Sequence, residues 1–429
     1  MKNLKYLLVV LIICAACNEK KTESEKPEIL LLATGDQSSG STYFTKDESG
    51  NPVLCWTGRS VGDSTSRLEF AFYDRAGKRF NRKGTVSPSA GAVNSSESTN
   101  KIAFKSDGTM VAVFGRAFKN EKNPFAGAIY YASSNDNGKS WSKEAFLHRS
   151  DTSHAYGRGF FDLARLENGE LAAVWLDGRF GKSIKGLALF FAKTGKGEGF
   201  GADSCLYKGT CECCRTGLIT GPTGDIYIAF RDILQPVDLN ATEVRDVGYL
   251  VSSNEGATFS PLMLVSSDGW KINGCPHSGP SLSMGQNGLS AVWFTGGDSR
   301  GIYYARNSGG NSDFRPRILL SKTGRHPQLL TLPNGKQAVV CEEGEEEEMS
   351  MNHGMEGAPE KNHAALSETH AKIVLRILND GRVEKEIPVT DGKYLDHNAV
   401  ITTTPDGLLM AWTREENGIR SIYYTLYKI

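Results

Sequence analysis

The stretch Asp107-Gly108-Thr109-Met110-Val111-Ala112-Val113-Phe114 decides the fold, because its pattern recurs six more times along the chain. In each copy, a turn ending in glycine is followed by a short apolar run that closes on an aromatic residue or a cysteine. The turns end at Gly50, Gly108, Gly169, Gly224, Gly288, Gly335 and Gly407, and the runs close at Trp56, Phe114, Trp175, Phe230, Trp293, Cys341 and Trp412. Each copy is typical of a strand–turn–strand unit. The copies are about 47 to 72 residues apart, which suits a four-stranded propeller blade with loops of variable length.

The repeats predict an all-β chain that forms a seven-bladed β-propeller of four-stranded antiparallel blades. The seventh repeat ends after its third strand, at 423–429. We therefore expect the apolar segment 28–33 to supply the fourth strand and so to close the last blade. Closing the ring in this way covers sheet edges that would otherwise pair with other chains.

The first residues have the pattern of an export signal. Lys2 and Lys5 precede or flank an apolar run that is too short to span a bilayer, so 1–16 is predicted to be a signal peptide. Cys14-Ala-Ala-Cys17 resembles a bacterial lipobox, which implies acylation of Cys17 and a lipidated flexible tether at 17–27. An ordinary secretory signal is the alternative. We expect a lipid-anchored protein of the bacterial cell envelope, on the periplasmic or outer-membrane (cell-surface) side, that contacts the membrane only through its anchor.

Composition excludes one class of partner. The 49 basic and 49 acidic residues cancel, and the basic residues are scattered, so no nucleic-acid-binding surface is indicated. We expect one propeller domain over 28–429, interrupted by a Met-, His- and Glu-rich insertion at 342–371, and a monomeric protein.

A second repeated motif points to a family. The segment Ser133-Ser-Asn-Asp136-Asn-Gly138-Lys-Ser-Trp141 resembles the Asp-box, or BNR, hairpin, Ser252–Phe259 is a second copy, and Asn307–Phe314 is a degraded third. The chain is thereby similar to the sialidase superfamily of propellers. This resemblance adds a six-bladed sialidase propeller as an alternative fold.

The resemblance implies a set of catalytic candidates. Sialidases bind a substrate carboxylate through an arginine triad and use a tyrosine nucleophile with an aspartate acid/base. Arg59 and Asp63 resemble the family's Gly-Arg and Asp loop, and Arg179 and Arg231 follow other strands of the same kind. The expected Arg-Ile-Pro motif is replaced by Gly40–Phe44, and no nucleophile segment is found. If the protein is an enzyme, we expect a glycoside hydrolase of sialidase type, with weak or absent sialidase activity.

Cysteine and histidine cluster at the starts of four successive inner strands. The set comprises Cys211, Cys213, Cys214, Cys275, His277, His326 and His397. Inner strands of a propeller surround the central channel, so we predict that these residues converge on one axial site. Thiolate and imidazole suit Cu(I) or Zn, with copper preferred and zinc as the alternative.

The insertion carries further soft and borderline donors, at Met349, Met351, His353, Met355, His363 and His370. They resemble mobile copper-capture segments and form a predicted auxiliary metal loop. The alternative is an acidic disordered loop in which these residues are incidental.

Disulfides are the alternative for the cysteines, because thiols outside the cytoplasm tend to oxidise. The pairs would be Cys205–Cys211 and a vicinal Cys213–Cys214, while Cys55 and Cys341 are expected as buried thiols. Three functions remain open: binding of a soft metal or small ligand, exo-sialidase-type hydrolysis, and binding of a glycan or protein without chemistry.

Overall fold

The computed structural model describes residues 27–34, 39–59, 65–149, 154–233, 243–272, 277–297, 299–307, 314–344 and 370–429. In these ranges the chain is all-β, apart from two short 3-10 helices at Ser87–Ser89 and Gly181–Ser183. The described part of the chain contains no helix that is long and apolar enough to cross a membrane.

Five separate sheets of four antiparallel strands form five blades, preceded in the chain by a single strand, β1 (Ile29–Thr34). The blades are, in order, β2 (Gly40–Lys46), β3 (Pro52–Gly58), β4 (Arg67–Asp74) and β5 (Arg79–Thr85); β6 (Lys101–Phe104), β7 (Met110–Ala117), β8 (Gly127–Ser134) and β9 (Ala145–Phe146); β10 (Arg158–Arg165), β11 (Leu171–Asp177), β12 (Leu187–Lys193) and β13 (Ser204–Thr210); β14 (Gly217–Thr220), β15 (Ile226–Arg231), β16 (Val247–Ser252) and β17 (Met263–Leu264); and β18 (Ser281–Gly285), β19 (Gly288–Thr295), β20 (Gly301–Asn307) and β21 (Ile318–Ser321).

The remaining strands form one eight-stranded sheet together with β1. They are β22 (Gly324–Thr331), β23 (Gln337–Gly344), β24 (Ala371–Asn379), β25 (Arg382–Pro388), β26 (Leu395–Thr404), β27 (Gly407–Glu416) and β28 (Ile419–Tyr427). The strand order is β1-β28-β27-β26-β24-β23-β22, with β25 paired to β24.

The prediction of seven separate four-stranded blades is therefore wrong, and so is the alternative of six. All seven apolar runs are strands that pair with the strand before them, but only five repeats form separate blades. The last two repeats do not form separate blades because a parallel bridge between Ala371 and Leu395 joins β24 to β26. The Ala371 backbone N donates to the Tyr394 carbonyl at 2.9 Å, so the last two repeats share one sheet.

The innermost strands contact one another in succession around a closed ring: β2, β6, β10, β14, β18, β22 and β26, with β26 contacting β2. The β1 strand pairs antiparallel with β28, which is the pairing expected from the sequence. Apolar clusters fill the space between neighbouring sheets, and Trp56, Trp175, Trp293 and Trp412 are almost fully buried there.

Candidate functional site on the axial face

Four inner strands share an irregularity where they begin. The pairing of β2, β10, β22 and β26 with the next strand shifts register after Gly40, Gly159, Arg325 and His397. The next residue of each has a left-handed backbone: Ser41 (φ 59°), Phe160 (φ 56°), His326 (φ 45°) and Asn398 (φ 55°). Residues other than glycine rarely adopt this conformation, and such strain concentrates at functional sites. We call this end of the ring the axial face.

His326 lies between two buried carboxylates on this face. Its Nε2 is 3.2 Å from Glu97 Oε1 and 2.9 Å from the His277 carbonyl oxygen, and its Nδ1 contacts Glu342 Oε1. Glu342 Oε2 also accepts a hydrogen bond of 2.6 Å from the Asn398 backbone N. Side chains from separate segments of the chain are thus tied to one imidazole.

Glu97 also binds Arg215, which directly follows Cys214. The guanidinium Nη2 and Nε of Arg215 donate to Oε1 at 2.8 and 3.2 Å, and its backbone N donates to Oε2 at 3.1 Å. The Gly279 backbone N donates to the same Oε2 at 3.3 Å. The carboxylate therefore fixes the chain just before β14 and just before β18.

The charges of this network decide its protonation. Burial alone would raise the pKa of Glu97, but Arg215 and His326 outweigh it and lower the pKa to about 2. Burial also opposes ionisation of Glu342, but His326 lowers that pKa to about 2. Burial would lower the pKa of His326, but Glu342 and Glu97 raise it to about 10. At neutral pH, an imidazolium therefore sits between two carboxylates.

Beside this network lie buried polar atoms that lack a partner among the described residues. His397 Nδ1 is 2.7 Å from Asn398 Nδ2, while His397 Nε2 and Asn398 Oδ1 make no hydrogen bond within the described part of the chain. Burial lowers the pKa of His397, which favours the neutral imidazole. Buried polar atoms are normally paired, so both are candidates to bind a ligand or water.

A cavity of about 200 Å³ opens among the inner strands next to these atoms. Its polar lining includes Tyr43, Glu97, Lys101, Asp162, Arg215 and Asn398. The buried Lys101 ammonium donates to the Phe161 carbonyl at 2.7 Å and to Thr99 Oγ1 at 2.8 Å, and lies 3.9 Å from Asp162 Oδ1. Burial lowers the pKa of Lys101 and raises the pKa of Asp162.

Three buried cysteines form a second cluster, which we call the thiol triad: Cys211, Cys213 and Cys214. Their sulfur atoms all lie within 4.8 Å of one another. The Cys211 sulfur is 3.7 Å from that of Cys213 and 3.7 Å from that of Cys214. The half-buried ring of Phe160, one of the left-handed residues, packs against the triad. The triad thus adjoins the strained start of β10.

Arg245 supplies a positive charge to the triad. Its Nη1 donates to the Cys211 sulfur at 3.1 Å and to Glu212 Oε2 at 3.0 Å. Hydrogen bonds from the other two thiols lower the pKa of Cys211 well below its usual value, and Arg245 acts in the same direction against the effect of burial. Burial raises the pKa of Cys214. Within the triad, Cys211 is therefore the thiol that ionises most readily.

The structure brings together three of the seven predicted metal ligands. His326 contacts carboxylates, His277 contributes its carbonyl oxygen to His326, and His397 lies against Asn398. Cys275 lies outside the described residues. Convergence of all seven residues on one metal therefore stays a prediction.

The arginines predicted as catalytic candidates lie in structural contacts. Arg231 is almost fully buried and donates to the carbonyl oxygens of Arg245, Ser278 and Phe294 at 2.8 to 2.9 Å. Arg179 pairs with Asp177 and Asp203 at 2.7 and 2.6 Å. Arg59 follows β3, and Asp63 lies outside the described residues. Among the described residues, Arg215 is the arginine that lines the axial cavity together with Lys101.

Several other expectations fall outside the described residues: Cys17, Met349, Met351, His353, Met355 and His363, whereas His370 directly precedes β24. The cysteines of the disulfide alternative are present as thiols: Cys205 is exposed, and Cys211, Cys213 and Cys214 are buried. Cys55 and Cys341 are buried thiols, as expected.

Sequence reasoning missed Glu97, Lys101, Arg245 and Glu342. The sequence predicts that Glu342 belongs to the insertion at 342–371, whereas β23 continues through Gly344. Glu97 lies in a serine-rich loop that carries no motif. Lys101 has one sequence signal that went unused: it begins an inner strand, and His326 and His397 lie near the starts of theirs.

Comparison with solved structures supports the fold and nothing finer. The chain is similar to the polysaccharide lyase Uly1, with a TM-score of 0.53 and 11% identity over 92% of this chain and 90% of that one. A protein of unknown function from Dyadobacter fermentans DSM 18053 gives a TM-score of 0.47 and 16% identity over 94% and 100%. The Hadza microbial sialidase Hz136 gives 0.47 and 12% over 86% and 74%. No protein-family model and no curated protein matches the chain.

Proposed function

We propose that the thiol triad binds a soft metal ion, with copper preferred and zinc as the alternative. The observation that carries this proposal is the pair of 3.7 Å separations from the Cys211 sulfur to the sulfurs of Cys213 and Cys214. Two sulfurs that each lie about 2.3 Å from a tetrahedral Zn²⁺ are about 3.8 Å apart, so the triad has the spacing of a ligand set. Soft thiolates select Cu(I) and Zn over hard cations.

Charge supports the same proposal. Three thiolates around a monovalent or divalent ion leave excess negative charge, and the Arg245 guanidinium lies 3.1 Å from one of the sulfurs. In a buried site the positive charge of Arg245 strongly stabilises this excess negative charge, because the low dielectric screens their attraction little. Copper is preferred because the insertion, which lies almost entirely outside the described residues, adds methionine and histidine, donors that suit Cu(I) as thiolates do.

Metal analysis tests this function directly. The full chain, purified under reducing conditions and loaded with Cu(I) or Zn²⁺, should retain metal after dialysis against a competing chelator. The Cys213→Ser/Cys214→Ser double variant should retain none. The control is Cys205→Ser, since this exposed thiol lies outside the triad and its loss should leave metal content unchanged. Equal metal content in the parent and the double variant would sink the proposal.

Acidification provides a second readout of the same site. Protons compete with metal for thiolate sulfur, so retention should fall as pH decreases. Because Cys211 has a lowered pKa and Arg245 beside it, Arg245→Gln should shift this loss to higher pH. A retention curve that does not move in Arg245→Gln would show that the arginine has no part in binding.

A second candidate function is action on a glycan. The axial cavity favours it, because Lys101 and Asp162 are a buried titratable pair next to a space that opens among strands of several sheets. Burial raises the pKa of Asp162, which suits a general acid, and lowers the pKa of the neighbouring Lys101. Uly1, which shares the fold, is a polysaccharide lyase. Incubation with a panel of polysaccharides should release new reducing ends, and Asp162→Asn should abolish this release. The absence of product from every polysaccharide would count against this function.

We also propose the export route. Acylation of Cys17 and anchoring in the bacterial cell envelope are supported by the signal-like residues 1–16. Mass spectrometry of the mature N-terminus should find diacylglycerol on Cys17, and Cys17→Ser should release the protein from the membrane fraction. An unmodified N-terminus would favour the secretory alternative.

A further inference from the structure

We infer that the axial cavity takes one uncharged sugar residue, a polyhydroxylated ring that carries no carboxylate or sulfate. This inference rests on the second candidate function and names its class of ligand. It contrasts with the acidic sugar that the sialidase resemblance implies. Three features of the cavity lead to it: paired charges, a lysine whose donors are occupied, and an acceptor without a partner beside an apolar wall.

The charges around the cavity are already paired. Arg215 binds Glu97 through two guanidinium nitrogens, at 2.8 and 3.2 Å. His326 lies between Glu97 and Glu342, and Lys101 is 3.9 Å from Asp162. These three cationic and three acidic side chains leave no excess positive charge. A sugar carboxylate would therefore be buried beside carboxylates without a cation of its own, which is costly.

The donors of Lys101 are occupied by protein oxygens. Lys101 Nζ donates to the Phe161 carbonyl at 2.7 Å, to Thr99 Oγ1 at 2.8 Å and to the Thr99 carbonyl at 3.3 Å. An ammonium has three protons, so these partners account for all of them. Lys101 is therefore held in place by protein oxygens and does not present a donor to an anionic ligand.

The groups that line the cavity suit hydroxyls. Asn398 lines the cavity, is 7% exposed, and its Oδ1 has no hydrogen-bond partner among the described residues. A hydroxyl donates to such an acceptor, whereas a carboxylate repels it. Leu218, Leu282 and Val400 also line the cavity and offer an apolar surface for the C–H face of a sugar ring.

The test measures binding of methyl glycosides to the full chain by calorimetry and by saturation-transfer NMR. The panel pairs neutral hexoses and pentoses with the matching uronic acids and N-acetylneuraminic acid. At least one neutral glycoside should bind, and its acidic counterpart should bind at least about tenfold more weakly because it adds an unpaired buried charge. Asn398→Gly, which tolerates the left-handed backbone, should weaken neutral binding about five- to tenfold by removing the acceptor.

A substitution that fills the cavity tests whether the sugar binds there. Ser96 lines the cavity and is half-buried, so Ser96→Trp should block binding; Ser87→Trp, at an exposed position away from the lining residues, is the matched control. If acidic sugars bind as tightly as neutral ones and Ser96→Trp blocks both, the inference of neutrality is overturned while the glycan function stands. If no glycoside binds, or Ser96→Trp leaves binding intact, the glycan function of this cavity fails with it.

Discussion

His326 links the stability of the axial face to pH. Its pKa is raised from 6.5 to about 10 in the folded protein, so its stabilising effect is complete below pH 6.5 and is lost as pH rises toward 10. Glu97 and Glu342 have pKa values lowered to about 2, so their contribution is present above pH 4.5 and is lost as pH falls toward 2. This network therefore stabilises the fold most between about pH 4.5 and 6.5.

His326→Gln tests this linkage. The glutamine leaves Glu342 without its cation and should lower the free energy of unfolding at pH 6 by about 3–5 kcal/mol. Urea unfolding of the parent should show stability falling from pH 6.5 to 10, whereas the variant should show a flatter profile. His154→Gln is the control, because this exposed histidine stacks on Phe118 and makes no hydrogen bond or ion pair with either carboxylate. Parallel pH profiles for parent and His326→Gln would contradict the assignment.

At the scale of elements, the sequence predicts strands better than it predicts how they are joined. Short continuous apolar runs after glycine turns locate all seven second strands, because these strands are buried on both faces between neighbouring sheets. The bridge at Ala371 and the left-handed backbones of Phe160 and His326 have no local signal, since tertiary contacts impose them. For the same reason the thiol triad is readable from its Cys-x-Cys-Cys spacing, while Glu97 is not.

The hairpin between β8 and β9 shows how one element is fixed to its neighbour. Asp136 accepts hydrogen bonds from the Ser140 backbone and hydroxyl at 2.9 and 2.6 Å, and the Trp141 ring packs edge-on against Phe70 of the preceding blade at 6.2 Å. Gly138 has φ +80°, and a Cβ added there would lie 2.3 Å from the Phe70 ring. The hairpin thus needs glycine at position 138 for two reasons: the left-handed backbone, and the absence of a Cβ that would collide with Phe70.

Gly138→Ala should therefore destabilise more than a glycine change with backbone strain alone. The matched control is Gly50→Ala, where φ is +78° and nothing lies within 4 Å of the added Cβ. Gly50→Ala should cost about 1–2 kcal/mol from the left-handed backbone. Gly138→Ala should cost about 1–3 kcal/mol more, because Phe70 must move. Equal shifts in the midpoint of thermal unfolding would show that the contact with Phe70 yields without cost.

At the scale of the whole molecule, the ring is held shut by one strand from each end of the described chain. Ile29 pairs with Thr425 and Thr34 with Ser421, and Thr425 Oγ1 donates to the Glu28 carbonyl at 2.6 Å. Leu32 is 6% exposed and packs in the cluster that also contains Trp56 of the first blade. The β1 strand therefore contributes both to the eight-stranded sheet and to its contact with the first blade.

Deletion of residues 1–34 should lower the free energy of unfolding by several kcal/mol, because the burial of a whole strand is lost. It should also cause self-association that increases with concentration, since β28 becomes an unpaired sheet edge.

Two point variants separate side-chain packing from strand pairing. Leu32→Ala should cost about 2–4 kcal/mol, whereas Leu31→Ala, at a side chain that is 52% exposed, should cost less than about 1 kcal/mol. Chemical unfolding and sedimentation velocity measure both effects, and a deletion variant that unfolds like the parent and stays monomeric would show that the ring closes without β1.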